Sequence, residues 1–461
     1  MESKKILIGH FRVGKTDGVS LEISKRKKML EKMGHEVYLL SGPRQVGADF
    51  VIDELEVDEP RIAKLRENTI TKFEDYEDEE EMKKELYTIH DSIKKQLREI
   101  FEKNNFDVIY IHNMLSLAIH IPATMALVQL IKELKIPCVA INHDFYWEGD
   151  IRTNPTFPFV KELIEKYFVP KLPNVMHGTI NTLNHKKLLE ERKIKAVVNY
   201  DVFDFSQDPW VKDGYNSDFR EEFGIKKNDL VVLQATRIVP NKTIEFAVEL
   251  VKELKKIRKE YEGKKLYNGK VFDKNSDIVF LLAGYAEDSR IWYRENLKEL
   301  CRKNNINAKF IADRVAHERG EVNGKKIYSL WDTYVFSDIV TFPSIWEGWG
   351  NQYIEAVFAK KPVFVFKYPV FVKDIQPEGY KVITLGEEYQ KPEQEQGFCK
   401  IPDYRILNAA REAMNILFSA DVYEHITEMN YIVGEKFHSY DVLKDYLQET
   451  LDWADSINES N

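Results

Sequence analysis

Along the whole chain, short apolar runs rich in Val and Ile alternate with longer stretches in which apolar residues return every three or four positions. The short runs have the length of buried strands and the longer ones the period of amphipathic helices, so their order predicts β-α-β units on parallel sheet. In the first half, strands are expected at Lys5 to Phe11, His35 to Leu40, Asp107 to His112, Pro137 to His143, Val175 to Ile180 and Ala196 to Tyr200. The alternation restarts in the second half, with strands expected at Leu230 to Thr236, Asp277 to Ala283, Ala308 to Ala312, Asp338 to Phe342, Pro362 to Lys367 and Lys381 to Leu385. Between the halves, DVFDFSQDPWVKDGYNSDF (Asp201 to Phe219) carries Pro and Gly and has no clear period, which marks a domain boundary.

Three stretches stand outside this alternation. From Phe73, FEDYEDEEEMKKELYTIHDSIKKQLREIFEK reads as an acidic lead into a long helix with a solvated face of interleaved Glu and Lys. Insertions follow Glu260 (YEGKKLYNGKVFDKNSD) and Ala316 (HERGEVNGKKIYS). From about Tyr404 the pattern is helical throughout, and Val442, Leu443, Tyr446, Leu447 and Leu451 line one side of a last helix that needs a surface to pack on.

A chain of 461 residues exceeds one core of ordinary size, so two doubly wound α/β domains are expected, 1–205 and 206–440. The balance of 67 Lys+Arg against 76 Asp+Glu, a net charge of −9, argues against a nucleic-acid partner and leaves any phosphate binding to a local basic pocket. Cys138, Cys301 and Cys399 are too far apart for a disulfide framework or a metal-spaced set and fit a reducing compartment. No apolar run has membrane-spanning length and the first residues carry no signal pattern, so a cytoplasmic protein without integral membrane contact is expected. The basic run Lys25-Arg26-Lys27-Lys28 spreads around a helix, which favours a solvated face over a membrane-docking plane.

Two stretches bear on chemistry. GHFRVGKT (Gly9 to Thr16) matches the G-x-x-x-x-G-K-T pattern of a P-loop. A P-loop needs its helix to start at the Lys-Thr, whereas Asp17 and Gly18 follow at once, a helix is better capped by Ser20, and DVIYIHN offers no Walker-B acid. The second stretch, FPSIWEGWGNQYIEAVFAKKPV (Phe342 to Val363), ends a strand, turns at Pro343 and Ser344, bares its backbone at Gly348 and Gly350, and starts a helix near Asn351. Ligands sit at such strand ends in parallel sheets, and the helix N-terminus favours phosphate or sugar oxygens. Glu347 and Glu355 present two carboxylates there, each able to accept two hydrogen bonds from vicinal hydroxyls.

These residues resemble the retaining family 4 glycosyltransferases of the GT-B fold, also called glycosyl transferases group 1. Glu347 and Glu355 look like the family's E-x7-E element, LVVLQATRIVPNKTIEFAVELVKEL like its strand with Arg and Lys five apart (Arg237 and Lys242), and VAINHDFYWEGDIR like its His-Asp loop. The resemblance implies two Rossmann-like domains facing across a cleft, with a final helix, 441–458, returning to the first. It implies a retaining hexosyltransferase that moves mannose or glucose from a nucleotide diphosphate sugar to a hydroxyl acceptor. Glu347 would hold hexose hydroxyls, Glu355 the ribose, and Arg237 with Lys242 would clamp the diphosphate. His143 would touch the donor sugar.

Carried over in the same way, the catalytic set is His143, Arg237, Lys242 and Glu347. The donor would further meet Gly18, Gly348, Trp349, Gly350, Asn351 and Glu355, with Gly14, Asp144 and Arg152 on the acceptor side. The chain departs from the family at Thr236 and Thr243, where glycines usually flank the Arg and Lys. With no D-x-D pair, no metal ligand and no tightly bound cofactor are expected, and Mg2+ could at most stimulate. SLWDTYVFSDIVTFPSIWEGWGN further resembles a branch acting on small soluble acceptors of the glycosylglycerate type, with the donor either GDP-mannose or UDP-glucose. A P-loop phosphotransferase, a nucleotide-sugar epimerase and a non-catalytic sensor are the competing readings, and His10 and His112 are expected to be core histidines.

Overall fold

The computed structural model describes residues 2–14, 18–43, 47–148 and 153–460. They divide into two compact units, Met1–Val202 with Tyr440–Asn461, and Phe203–Ser439.

The first unit holds strands β1 (Lys5–Gly9), β2 (Glu36–Ser41), β3 (Phe50–Val51), β4 (Val108–His112), β5 (Cys138–Asn142), β6 (Val175–Thr179) and β7 (Ala196–Val198). Its helices are α1 (Gly18–Lys32), α2 (Pro60–Ile70), α3 (Glu79–Asn104), α4 (Ile121–Leu134), α5 (Pro158–Tyr167) and α6 (Thr182–Lys187). The strands run parallel in the order β3-β2-β1-β4-β5-β6-β7. Both central strands, VIYIH and CVAIN, are buried along their length, because helices cover both faces of the sheet. The acidic lead ends in the first turn of α3, at Glu79, Glu80 and Glu81: Asp78 caps the helix by accepting from the Glu81 N–H, and left-handed Asn105 closes it.

The second unit carries β8 (Leu230–Gln234), β9 (Lys264–Lys265), β10 (Val271–Phe272), β11 (Ile278–Leu282), β12 (Asn307–Phe310), β13 (Val315–Ala316), β14 (Gly320–Val322), β15 (Lys325–Ser329), β16 (Ile339–Phe342), β17 (Val363–Val365) and β18 (Ile383–Thr384). Its helices are α7 (Phe219–Glu222), α8 (Glu245–Ile257), α9 (Ile291–Lys303), α10 (Leu330–Val335), α11 (Asn351–Phe358), α12 (Asp403–Leu417) and α13 (Ala420–His438). The main sheet is parallel in the order β12-β11-β8-β16-β17-β18. The first insertion is the β9–β10 hairpin, and the second forms the small sheet β13-β15-β14.

The last helix, α14 (Tyr440–Ser460), belongs to the first unit. Its Leu443, Tyr446, Leu447, Leu451 and Ala454 pack with Ile6, Ile8, Ile23, Leu30, Val108 and Tyr110, and the Tyr110 and Thr450 hydroxyls share a hydrogen bond of 2.7 Å.

All twelve expected strands are present, most of them trimmed at one or both ends. The expectation for α1 needs correction: the helix begins at Gly18 rather than after Ser20, and Ser20 is buried inside it instead of capping it. In both main sheets the chain builds outward from the first strand and then crosses to its other side. The resulting switch points, β1/β4 and β8/β16, are where such sheets bind ligands at the strands' carboxyl ends.

Candidate functional site

At the β8/β16 switch point the two expected binding loops lie side by side. After β8, Thr236 and Arg237 leave the sheet and a tight turn, Pro240–Lys242, brings Lys242 back under them. Thr243 then takes the left-handed conformation, φ 39°, that a glycine would adopt freely. So the departure from the family's glycine keeps the glycine's backbone. The threonine hydroxyl donates to the Pro343 carbonyl at 2.6 Å, and the Ile345 N–H donates to Asn241 O at 3.2 Å. These two bonds fasten the β8 loop to the β16 loop. Thr236 has a different compensation: Gly284, after β11, lies so close that a Cβ there would sit 1.8 Å from the Thr236 carbonyl oxygen.

The fastened loops place Lys242 Nζ in an ion pair with Glu347 Oε1, and the two side chains are only 8% and 13% exposed. Arg237 points to the rim, half exposed, where Glu287 pairs with it. One cation is therefore held inside the site and one at its edge. Gly348, Trp349 and Gly350 carry the chain into α11, whose first residue is Asn351. Gly350 has φ 151°, and a Cβ there would meet the Tyr368 hydroxyl at 2.6 Å. That hydroxyl donates to the Trp349 carbonyl. The Trp349 ring faces inward, 5.0 Å from the His438 ring, so Trp349 shapes the loop while Trp346 carries the exposed indole. One turn into α11, buried Glu355 accepts a hydrogen bond from the Tyr334 hydroxyl at 2.9 Å.

At the first unit's switch point, His10 follows β1, His112 ends β4 and His143 follows β5. All three are buried. His10 Nδ1 lies 2.9 Å from the His112 carbonyl, so it carries the proton and donates. His112 Nδ1 and His143 Nε2 share a hydrogen bond of 3.0 Å, and His143 Nδ1 stands 3.9 Å from Asp201 Oδ1. Burial, reinforced by nearby cationic and imidazole groups, holds the His112 and His143 pKa values well below the ordinary histidine range. The core expectation thus describes His10 and His112 in burial, and the fold joins them to His143.

Asn113, which the sequence did not single out, organises this corner. With φ 56° it accepts from the His143 and Asp144 backbone N–H groups, at 2.8 and 3.1 Å, and donates to the Asp144 carboxylate at 3.0 Å. An Asn directly after a buried strand, where left-handed backbone is tolerated, was the available signal.

The basic run needs correction as well. Arg26 is fully buried, donating to Glu22 Oε2 at 2.7 Å and Asn199 Oδ1 at 2.5 Å, while Lys25 reaches Glu22 and the Val202 carbonyl at 2.5 Å each. Lys27 turns to Glu31 and the Val37 carbonyl. Lys25 and Arg26 turn to their own unit because Glu22, about one turn earlier on α1, supplies the counter-charge, while Lys28 stays exposed.

Gly14 is exposed with φ 69°, and Gly18 opens α1. Arg152, like Lys15 and Thr16 of the P-loop pattern, lies outside the described residues. Among the described residues no group of three or more His, Cys, Asp and Glu side chains is arranged to hold a metal ion, and no helix is long and apolar enough to cross a membrane.

The pattern described as Glycosyl transferases group 1 matches residues 216–384, a span holding Arg237, Lys242, Glu347 and Glu355. A mannosylglucosylglycerate synthase of Petrotoga mobilis is 38% identical over 412 residues, 89% of this chain and 92% of the relative. The chain belongs to the group 1 glycosyl transferases. A mannosylglucosylglycerate synthase of Thermotoga maritima is 34% identical over 450 residues, 96% of this chain and 98% of that one. A glycosyltransferase from Rickettsia africae shares the fold, with TM-score 0.63 at 16% identity and full coverage of both chains. The protein is thus a hexosyltransferase of the GT-B fold, an enzyme of carbohydrate biosynthesis. The P-loop phosphotransferase and epimerase readings gain no support from these relatives.

Proposed function

We propose that this glycosyltransferase moves a mannosyl group, with retention, from a nucleotide diphosphate sugar to a hydroxyl of a glycerate-type acceptor, glucosylglycerate in the first instance. The observation that carries this reading is the 38% identity, over nearly the whole length of both chains, to a protein named for making mannosylglucosylglycerate. The mannosyl unit at the head of that name favours GDP-mannose over UDP-glucose.

The second unit supplies the donor side. Arg237 and Lys242 receive the diphosphate, and two placed cations stabilise the charge that builds as the nucleoside diphosphate departs. With the phosphates present, Lys242 gains a second anionic partner, and Glu347 turns its oxygens to the hexose hydroxyls. Glu355 takes the ribose, while the N-terminus of α11, entered through Gly348, Trp349 and Gly350 with Asn351 as its first residue, favours the phosphates. The acceptor side is assigned to the first unit, with Gly14 and Asp144 as its candidate contacts and His143 as a candidate contact of the sugar. Because both His143 ring nitrogens face protein groups, its imidazole acts as a neutral strut for the β5 loop. No cofactor is assigned and any Mg2+ would only stimulate. The three free thiols fit a cytoplasmic enzyme whose partners are its substrates.

The test is product formation from GDP-mannose or UDP-glucose, each offered glucosylglycerate, glycerate and glucosylglycerol. Mannosyl transfer to glucosylglycerate supports the reading. Transfer only from UDP-glucose, or to none of the acceptors, contradicts it.

A further inference from the structure

We propose that Tyr334 is the positioning residue of Glu355, and that the β13–β15 insertion exists in this chain to hold Tyr334 in place. This rests on the reading of Glu355 as the ribose-binding carboxylate.

Tyr334 has no exposed surface and Glu355 is 6% exposed, so their hydrogen bond of 2.9 Å lies in a low-dielectric setting where its direction is not shared with water. Burial and the neighbouring carboxylate raise the Tyr334 pKa well above its ordinary value, so the phenol keeps its proton and always donates. A fixed donor to Oε2 sets the rotation of the carboxylate that is read as accepting from a ribose hydroxyl. Glu355 is thereby pre-ordered before nucleotide arrives.

Tyr334 sits on the six-residue α10, too short to hold itself. Its support comes from two segments outside the Rossmann core. In the insertion, Arg319 forks onto Asp332 at 3.0 Å (Nε) and 2.5 Å (Nη2), and its Nη1 reaches Asp213 at 2.6 Å. From the segment following the domain crossing, Asn216 donates to Asp332 at 2.8 Å. Trp210 stacks on Trp331 with ring centroids 4.4 Å apart and lies 5.5 Å from the Tyr334 ring. The Ser329–Asp332 capping box closes the start of the helix. The insertion thus reaches the nucleotide through one guanidinium, one short helix and one phenol.

Titration calorimetry with GDP and with 2′,3′-dideoxy-GDP, or the uridine pair if the wild type prefers it, tests this. Tyr334→Phe keeps the ring packing and removes only the donor, and it should weaken GDP about tenfold. It should leave the dideoxy nucleotide unchanged, raise donor KM in proportion and keep kcat within about twofold. Arg319→Met should show the same ribose dependence at severalfold size. Equal losses for both nucleotides, or no loss for GDP, in Tyr334→Phe would overturn the positioning role, and unchanged GDP binding in Arg319→Met would overturn the insertion's part. Glu355→Gln separates the two readings: if it weakens GDP and the dideoxy nucleotide equally, or neither, the assignment of Glu355 itself is wrong whatever Tyr334 does.

Discussion

Lys242 and Glu347 form an ion pair across two loops that leave adjacent parallel strands, with little of either side chain exposed to solvent. Each is the other's main counter-charge in the absence of a donor, which ties activity and stability together at one contact. Replacing Lys242 by Met leaves Glu347 with an uncompensated charge in a largely enclosed site and removes a cation from the diphosphate. Turnover should fall about 10²- to 10³-fold, and stability should fall by a few kcal/mol as the buried pair is broken. Steady-state assays and urea melts of Lys242→Met check both, and Glu347→Gln should restore part of the stability to that variant without restoring turnover.

Gly284 is the steric key to the Arg237 loop. Because a methyl group there would overlap the Thr236 carbonyl, Gly284→Ala must push Thr236 and Arg237 outward. A cost of about 1–3 kcal/mol is expected, with a rise in donor KM larger than the change in acceptor KM. Donor and acceptor titrations of the purified variant distinguish this from general unfolding.

In the first unit the buried Arg26 is a structural cation. Arg26→Met should cost about 3 kcal/mol, since it strands part of the Glu22 charge. The double variant Glu22→Leu/Arg26→Met should cost less than the sum of the two single changes. Urea denaturation of the three variants measures the coupling.

The buried histidines fix the sign of the pH dependence. His120 donates through Nε2 to the Glu54 carbonyl and accepts the Ala123 N–H at Nδ1, capping α4 only while neutral. Burial lowers the pKa values of His120 and His177 to about 4 each. In the unfolded chain both titrate near the ordinary histidine value of 6.5, so between that pH and about 4 the unfolded state binds more protons. Stability is full above 6.5 and is lost as pH falls towards 4. Glu148 has the opposite sign: burial raises it to about 7, so its contribution is complete below its ordinary value of 4.5 and is lost as pH rises through 7. Denaturant melts from pH 8 to 4.5 should show a loss of a few kcal/mol on the acid side, and His120→Gln should flatten that limb.

The sequence announced its strands because buried parallel strands such as VIYIH and CVAIN are apolar on both faces and need no partner to be recognised. It also announced the β16–α11 loop, where Pro343, Gly348 and Gly350 are local backbone signals. Two-residue strands such as β3 and β9 are shorter than any apolar period. The inward turn of Arg26 depends on Asn199, which is far away in sequence, and the role of Asn113 depends on a neighbouring strand. The hold of Tyr334 on Glu355 likewise joins two helices that no short-range pattern connects. For Arg26, Asn113 and Glu355, what was illegible was a polar partner supplied by tertiary structure.

The most direct measurement is proton NMR of the first product formed from GDP-mannose and glucosylglycerate by the wild type and by Lys242→Met. A new mannosyl anomeric signal with the same α configuration as the donor is expected, growing in step with GDP and nearly absent in the variant. A β-linked first product, or release of GDP with no acceptor modified, would contradict retaining mannosyl transfer.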